Sequence, residues 1–298
     1  MTTLAELTSE ELFFGHAGCA GCGSVLAVRQ ALKVLGRNVI FVEPAGCVLG
    51  VTCFYPQVAL RVPLLPTAFP ATASTASGVS VALKAKGRHD VKVVAVAGDG
   101  GTADIGLQAL SGAVERGDEL IYICTDNEAY MNTGIQRSGL TPWGATTTTT
   151  PGGKLGHRED KPKKDMMAIV AAHGIPYAAT ASISHWNDFL QKVEKAYRVK
   201  GPSFLHVLAP CPPGWGFDTS QTVKFARLAV QTGIWPLYEI ENGKYRITLK
   251  IRNFKPVREY VEGQGRFRGL SEAEVAHIES LRDQQWANIN SMVEATNK

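Results

Sequence analysis

Two segments of the chain hold oxygen-bearing side chains at positions suited to a divalent cation beside a diphosphate. Gly98-Asp99-Gly100-Gly101 follows the apolar run Val91-Lys92-Val93-Val94-Ala95-Val96-Ala97, and Thr125-Asp126-Asn127-Glu128-Ala129 follows Leu120-Ile121-Tyr122-Ile123-Cys124. Asn127 comes 28 residues after Asp99. Two parallel strands joined by a helix bring both to one edge of a sheet, the edge at which α/β folds bind phosphate ligands. Asp99 offers a charged oxygen, Asn127 a neutral one and a nearby backbone carbonyl a third. Mg²⁺ takes such hard donors beside substrate phosphates. The glycines flanking Asp99 let the backbone approach a phosphate closely.

A GDG triplet by itself is common in turns. Paired with an Asn about one βαβ unit later, each at a strand end, it resembles the thiamine-diphosphate motif. The alternative is two polar turns on an α/β sheet. An independent pattern in the cysteines favours the thiamine reading.

The chain has six cysteines: Cys19, Cys22, Cys47, Cys53, Cys124 and Cys211. Cys19 and Cys22 form a C-x-x-C within the Gly/Ala-rich stretch Gly15-His16-Ala17-Gly18-Cys19-Ala20-Gly21-Cys22-Gly23. Such a loop can present two thiolates to one centre, and tetrathiolate sites hold zinc or an iron–sulfur cluster. A zinc ribbon needs a second C-x-x-C, which is absent. A thioredoxin-like motif needs a preceding strand, and no strand-like run precedes this one. Cys47, in Pro44-Ala45-Gly46-Cys47, and Cys211, in Ala209-Pro210-Cys211-Pro212-Pro213, sit in turn-rich surroundings where a thiolate can be aimed freely. Cys124 falls inside an apolar strand and reads as a small buried hydrophobe. Cys53 is near Cys47, but 51–55 also reads as core.

Together these patterns resemble the thiamine-diphosphate-binding β subunits of 2-oxoacid:ferredoxin oxidoreductases of the pyruvate synthase type. The matching segments are Gly15 through Gly23, Glu43 through Cys47, Ala97 through Gly101 with Asp104-Ile105-Gly106, Asp126 through Gly134, Thr141 through Ala145, Pro151-Gly152-Gly153, Ile175 through Ser182 and Gly201 through Trp215. In that family the cluster cysteines fall at a C-x-x-C, a third Cys about 25 residues on, and a fourth far downstream before a Pro. Cys19, Cys22, Cys47 and Cys211 match, Cys47 lying 25 residues after Cys22. The resemblance implies a [4Fe-4S] cluster on these four. It implies Mg²⁺ on Asp99, Asn127 and the Ala129 carbonyl. It implies thiamine diphosphate against Gly46, Cys47, Gly98, Asp99, Gly100, Gly101, Thr102, Asn127, Asn132 and Thr133, with Asn132 facing the reacting centre. Two positions depart from the family: Ser24 stands where some members have a Glu that reaches the cofactor, and Gly101 where relatives often carry Trp.

The implied activity is oxidative decarboxylation of a 2-oxo acid, by default pyruvate, to an acyl-CoA and CO₂. Electrons leave through the cluster to ferredoxin or a similar acceptor. Phenylglyoxylate, branched-chain 2-oxo acids and oxalate are alternative substrates, and NAD an alternative final acceptor. Thiamine enzymes also need a carboxylate near the aminopyrimidine. Glu43 is the nearest candidate here and reads as structural; in the family that Glu comes from another chain or domain. The chain is therefore expected to act only with α-, γ- or δ-type partner subunits. A non-catalytic electron-transfer or scaffold subunit is the competing reading, and the presence of both Asp99 and Asn127 argues against it.

Composition agrees with an enzyme subunit. The 298 residues are 45% hydrophobic and 19% charged, with a net charge of +4, enough for a substantial core. The basic stretch Lys154 to Lys164 reads as a solvated loop rather than a contact with an acidic partner or CoA phosphates. It lacks the aromatic interleaving of a nucleic-acid site. No apolar run has the length of a membrane span, and Met1-Thr2-Thr3-Leu4-Ala5-Glu6 does not read as a secretory signal. Cysteine usage suits a reducing compartment and a metal site, hence the cytoplasm. His16 is expected to hydrogen-bond the cysteine loop; His157, His173, His185 and His206 show no evident partners.

The elements that must position these residues alternate. Strands are expected at 39–42, 91–97, 120–125, 177–180 and 203–208, and helices at 69–86, 102–116, 165–173 and 185–199. This is an α/β fold with a doubly wound, mostly parallel sheet. The loop 130–153 is long, polar and Thr-rich, as functional loops are, and is expected to lie over the diphosphate. Residues 1–220 read as the cofactor domain with its cluster loop, and 221–298 as a C-terminal arm contacting another subunit. That arm holds a hairpin about Asn242-Gly243 and a long helix opened by a Ser271–Glu274 capping box.

Overall fold

The apolar runs that precede Asp99 and Asn127 are neighbouring parallel strands, with Ala97 opposite Cys124 and Gly98 opposite Thr125. The computed structural model describes residues 11–297; the reading of Met1–Glu6 lies outside the described residues. In chain order the elements are α1 (Gly23–Leu35), β1 (Val39–Pro44), α2 (Cys47–Thr52), β2 (Cys53–Phe54), β3 (Gln57–Val58), β4 (Leu64–Thr67), α3 (Thr72–Ala85), β5 (Lys92–Gly98), α4 (Asp99–Ala103), α5 (Leu107–Glu115) and β6 (Leu120–Asp126). There follow α6 (Met166–Ala172), β7 (Tyr177–Ser182), α7 (Trp186–Arg198), β8 (Ser203–Leu208), α8 (Pro212–Trp215), α9 (Thr222–Gln231), β9 (Tyr238–Glu241), β10 (Lys244–Ile247), α10 (Val257–Val261) and α11 (Glu272–Thr296).

Eight strands form one sheet in the order β10-β9-β7-β8-β6-β5-β1-β4. The six from β4 to β7 are mutually parallel; β9 and β10 are antiparallel additions beyond β7. Side chains alternate between faces, so neighbouring residues enter different cores. Val94, Val96, Ile121 and Ile123 pack under α1 and α7. Val93, Ala95, Leu120 and Tyr122 pack under α3, α5 and α6. Covering both faces explains why the central strands read as continuous apolar runs. The Ala/Ser-rich sequence of α3 lets it pack against α5 and β5.

Two expectations are corrected. The helix expected over 102–116 is two helices, α4 and α5, broken at Asp104–Gly106. Asp104 leaves the helical path to accept bonds from Tyr130 Oη and the Gly139 amide, both at 2.9 Å. Residues 51–55, read as core, end in the β2–β3 hairpin, whose Tyr55 is 93% exposed. The segment after 221 joins the sheet: β9 pairs with β7, and α11 packs on β10. The Asn242-Gly243 turn and the Ser271–Glu274 capping box are both present.

Candidate cofactor and metal site

Four adjacent strands deliver the expected ligands to one edge. In the order β8-β6-β5-β1, the residues just past their carboxyl ends are Cys211, Asn127, Asp99 and Cys47. Beside Cys47, Asp99 and Asn127 lies a cavity of about 210 Å³ lined by Pro44–Val48, Phe69, 96–101, Thr125, Asn127 and 129–133. Gly46, Cys47, Gly98, Asp99, Gly100, Gly101, Asn127, Ala129, Asn132 and Thr133 all face it. A Cβ built on Gly98 meets nothing within 4 Å, so open space stands beside the backbone where a diphosphate would approach.

The Asn127 turn gathers polar groups at the cavity wall. The Asn127 side-chain amide points its oxygen at two other oxygens: Asp99 Oδ1 at 3.0 Å and the Ala129 carbonyl at 2.8 Å. Turned over, the amide donates from its nitrogen to both; with its oxygen inward, the three oxygens would suit a cation. Ligands about 2.1 Å from Mg²⁺ in octahedral array stand roughly 3 Å apart along each edge, which matches these separations. Asp99 is 1% exposed. Burial, and then the charge of Asp126, push its carboxyl well above the usual range, while Ser138 Oγ donates to its other oxygen. A cation at this point would reverse that penalty.

The turn itself is strained and heavily tied. Asp126 Oδ1 accepts from the Glu128 amide at 2.9 Å, closing an Asx turn. Glu128 has φ 70°, a left-handed conformation that costs a non-glycine residue about 1–2 kcal/mol and persists only where its surroundings over-determine it. Those surroundings are ionic. Lys163 Nζ lies 2.9 Å from Asp126 and 2.6 Å from Glu128, and Arg266 Nη1 lies 2.5 Å from Glu128. His206 Nε2 lies 2.9 Å from Asp126. Burial alone would raise the Asp126 carboxyl, but Lys163 and His206 overcome it and hold it low. Burial would likewise lower Lys163, but Asp126 and Glu128 raise it.

The cysteine loop reaches the same edge from the other side. His16 Nδ1 accepts from the Gly18 amide at 3.1 Å, as expected, and the Cys22 amide donates to the Cys19 carbonyl. All six cysteines are free. Burial first, then the charges of Cys211, Cys22 and Cys19, push the Cys47 thiol up to about 12. Burial, with Cys22 and Cys19, pushes Cys211 up to about 11. The Cys47 and Cys211 thiols are thus within electrostatic reach of the C-x-x-C loop. Among the described residues, no three His, Cys, Asp or Glu side chains close to the spacing of a single ion. Cys47 is also part of the cavity wall, so thiol group and cofactor cavity share it. Cys53 caps the far end of α2 from Cys47, roughly 9 Å along the helix, and Cys124 is fully buried.

Some site residues differ from expectation. Thr102 does not line the cavity: its hydroxyl donates to Gly98 O at 2.7 Å and meets Tyr122 Oη at 3.3 Å, so it braces the GDG turn from beneath. At Gly101 a Cβ would touch the Phe69 ring at 3.2 Å, so Phe69 occupies the space a larger residue would claim. Glu43 is fully buried and outside the cavity lining; Thr52 Oγ1 donates to it at 2.5 Å, and burial pushes its carboxyl up to about 7. Lys163, read within a solvated stretch, is only 24% exposed and paired as described. His206, read as partnerless, bonds Asp126, and Arg266 carried no signal. Only long-range folding joins these groups to the turn. A second cavity, of about 290 Å³, lies beneath α11 and holds none of the expected ligands.

Residues 62–207 match the family model described as the thiamine pyrophosphate enzyme, C-terminal TPP binding domain. The chain is 59% identical over 269 residues to the pyruvate synthase subunit PorB of Methanothermobacter thermautotrophicus, covering 90% of this chain and 93% of that protein. It is 52% identical to the PorB of Methanocaldococcus jannaschii, covering 94% and 97%. It is 48% identical to the ketoisovalerate oxidoreductase subunit VorB of Pyrococcus abyssi, covering 96% and 94%. Among solved structures, a 2-oxoglutarate:ferredoxin oxidoreductase from Magnetococcus marinus shares the fold, with a TM-score of 0.57 at 19% identity, covering 91% of this chain and 94% of that one. Identity at this level along nearly the whole chain leaves one assignment: the protein belongs to the β subunits of the 2-oxoacid:ferredoxin oxidoreductase family, with their thiamine-diphosphate-binding fold.

Proposed function

We propose that this subunit holds the diphosphate of thiamine diphosphate through Mg²⁺, carries a [4Fe-4S] cluster beside it, and works in a complex that oxidatively decarboxylates pyruvate to acetyl-CoA. The observation that carries the reading is the convergence of the Asp99 carboxylate, the Asn127 side-chain amide and the Ala129 carbonyl at 2.8–3.0 Å, on the same sheet edge as Cys47 and Cys211. When bound, thiamine diphosphate supplies the nucleophilic carbon and electron sink for cleaving a 2-oxo acid, and the cluster accepts single electrons.

The chain's own residues bind and orient. Asp99 brings the one charged oxygen to the Mg²⁺, and Asn127 and Ala129 bring neutral ones. Gly98 leaves room for the phosphates, and Met131 to Thr133 form the wall where a substrate would enter. Asn132, which lines the cavity, would face the reacting atoms. Cys19, Cys22, Cys47 and Cys211 would ligate the cluster, and Cys47 also lines the cofactor cavity. Met131 packs over Gly214 within the Cys211 segment, which keeps water from the space between them.

No carboxylate in this cavity serves the aminopyrimidine, since Glu43 lies outside its lining. An α-type subunit is expected to provide it. Ferredoxin or a similar acceptor, CoA and the 2-oxo acid complete the partners, and the cytoplasm is the expected location. No helix among the described residues is long and apolar enough to cross a membrane. Pyruvate is preferred because the 59% and 52% identical relatives are pyruvate synthase subunits. A branched-chain 2-oxo acid is the second reading, from the 48% identical VorB. The intact oxygen set speaks against a non-catalytic scaffold.

Asp99→Asn in the purified complex tests the reading. Bound thiamine diphosphate and pyruvate-dependent acceptor reduction should fall to background, while iron content stays at the parent level. Survival of both activity and cofactor in that variant would overturn the assignment, and faster reduction by 2-oxoisovalerate than by pyruvate in the parent would exchange the substrate.

A further inference from the structure

The C-terminal segment sends one side chain into the cofactor side of the fold. The Arg266 guanidinium lies over the Trp215 ring, 3.6 Å from its centroid. Its Nη1 donates to Glu128 Oε2 at 2.5 Å, its Nη2 to Tyr260 Oη at 3.0 Å and its Nε to Gln264 Oε1 at 2.9 Å. Arg266 is 5% exposed, Glu128 3% and Trp215 fully buried. Trp215 in turn donates from its indole Nε1 to the Asn127 carbonyl at 2.8 Å, and from its backbone amide to the Cys211 carbonyl at 2.8 Å.

We infer that Arg266 is a positioning residue for the divalent-cation site. It holds the left-handed Glu128, and through Trp215 the Asn127 carbonyl, so that the metal-facing oxygens are fixed before the metal arrives. The inference rests on the metal reading proposed above. One guanidinium serves both neighbours because its planar fork pairs with a carboxylate while its face stacks on an indole, which a lysine cannot do. Without it, Glu128 keeps only Lys163 at its other oxygen, and a half-compensated buried carboxylate sits between Asn127 and Ala129. Groups that orient metal ligands in this way typically control affinity by tenfold or more.

The test uses the assembled complex, saturating thiamine diphosphate and Mn²⁺ as a paramagnetic probe, with free Mn²⁺ read by its resonance. Arg266→Met should weaken Mn²⁺ binding by roughly tenfold or more while iron content stays at the parent level. Arg266→Lys keeps a charge for Glu128 but loses the stack and the fork, and should fall between the parent and Arg266→Met. If Arg266→Met does not assemble, Arg266→Lys decides: affinity within about twofold of the parent overturns the inference. Parent-like affinity in Arg266→Met, or equal weakening in both variants, overturns it as well. A parent complex that takes up no Mn²⁺ sinks the metal reading itself, and this inference with it.

Discussion

Gly23 and Pro210 touch backbone to backbone. The Gly23 amide donates to the Pro210 carbonyl at 3.1 Å, and a Cβ on Gly23 would stand 2.6 Å from that oxygen and 2.5 Å from the Ala209 carbonyl carbon. Gly23 follows Cys22, and Pro210 precedes Cys211. This contact brings together the segments that carry Cys22 and Cys211, far apart in sequence, and only a residue without a Cβ permits it.

Gly23→Ala should therefore loosen the cysteine site without changing a ligand. The clash is with backbone, which cannot rotate away, so the two segments must separate at a cost of about 1–3 kcal/mol. The expected result is lower iron and sulfide per chain in the purified complex, with thiamine diphosphate retained. Parent-level iron at parent-level thermal stability would show that the contact does not matter.

Replacing Cys19, Cys22, Cys47 or Cys211 by Ser should remove one cluster's worth of iron and sulfide in each case. Cys53→Ser and Cys124→Ser should leave it in place, because Cys53 is at the wrong end of α2 and Cys124 is enclosed between β5 and β8. Iron and sulfide analysis of the six variants reads the outcome. Iron loss in Cys53→Ser with Cys211→Ser unaffected would transfer the fourth position to Cys53.

Glu43 makes stability depend on pH. Its carboxyl is pushed up to about 7 from 4.5 by burial, and its Oε1 has no hydrogen-bond partner among the described residues. The folded state thus holds a proton that the unfolded chain releases near 4.5. The stabilisation is complete below that value and is lost as pH rises through about 7. The shift corresponds to about 3 kcal/mol. Glu43→Gln stays neutral, so its thermal midpoint should fall less than the parent's between pH 5 and 8. Parallel curves would mean that Glu43 is not protonated in the fold.

The isolated chain should bind thiamine diphosphate weakly and show no turnover. Its cavity offers Mg²⁺–diphosphate contacts, but no carboxylate for the aminopyrimidine. Adding the α-type subunit should restore tight binding and pyruvate oxidation. The segment after residue 221, although fused to the sheet through β9, is proposed to contribute to that contact. Full 2-oxo-acid oxidation by the chain alone, with CoA and an electron acceptor, would refute a divided site.

Much of this was legible in the sequence, because the chemistry sits where local signals are strong. Apolar runs of strand length, each ending in Asp, Asn or Cys, place their last residues on one sheet edge whatever the side-chain detail. The C-x-x-C, the GDG and the later Asn are compact motifs whose spacing survives folding. So Asp99, Asn127, Ala129, Cys47 and most of the cavity wall could be named from the chain, as could the Asn242-Gly243 hairpin and the Ser271 cap. What only the tertiary structure decided are contacts between residues far apart in sequence. Lys163 lies among other basic residues, and nothing local distinguishes a lysine that folds back onto Asp126 and Glu128 from one in solvent. Arg266 reaches Glu128 across 138 positions. Whether β9 would extend the sheet or stand apart depended on the free edge of β7, which no segment announces by itself. Ionic partners and sheet edges are properties of the assembled fold, since a charge is compensated by whatever comes near it in space.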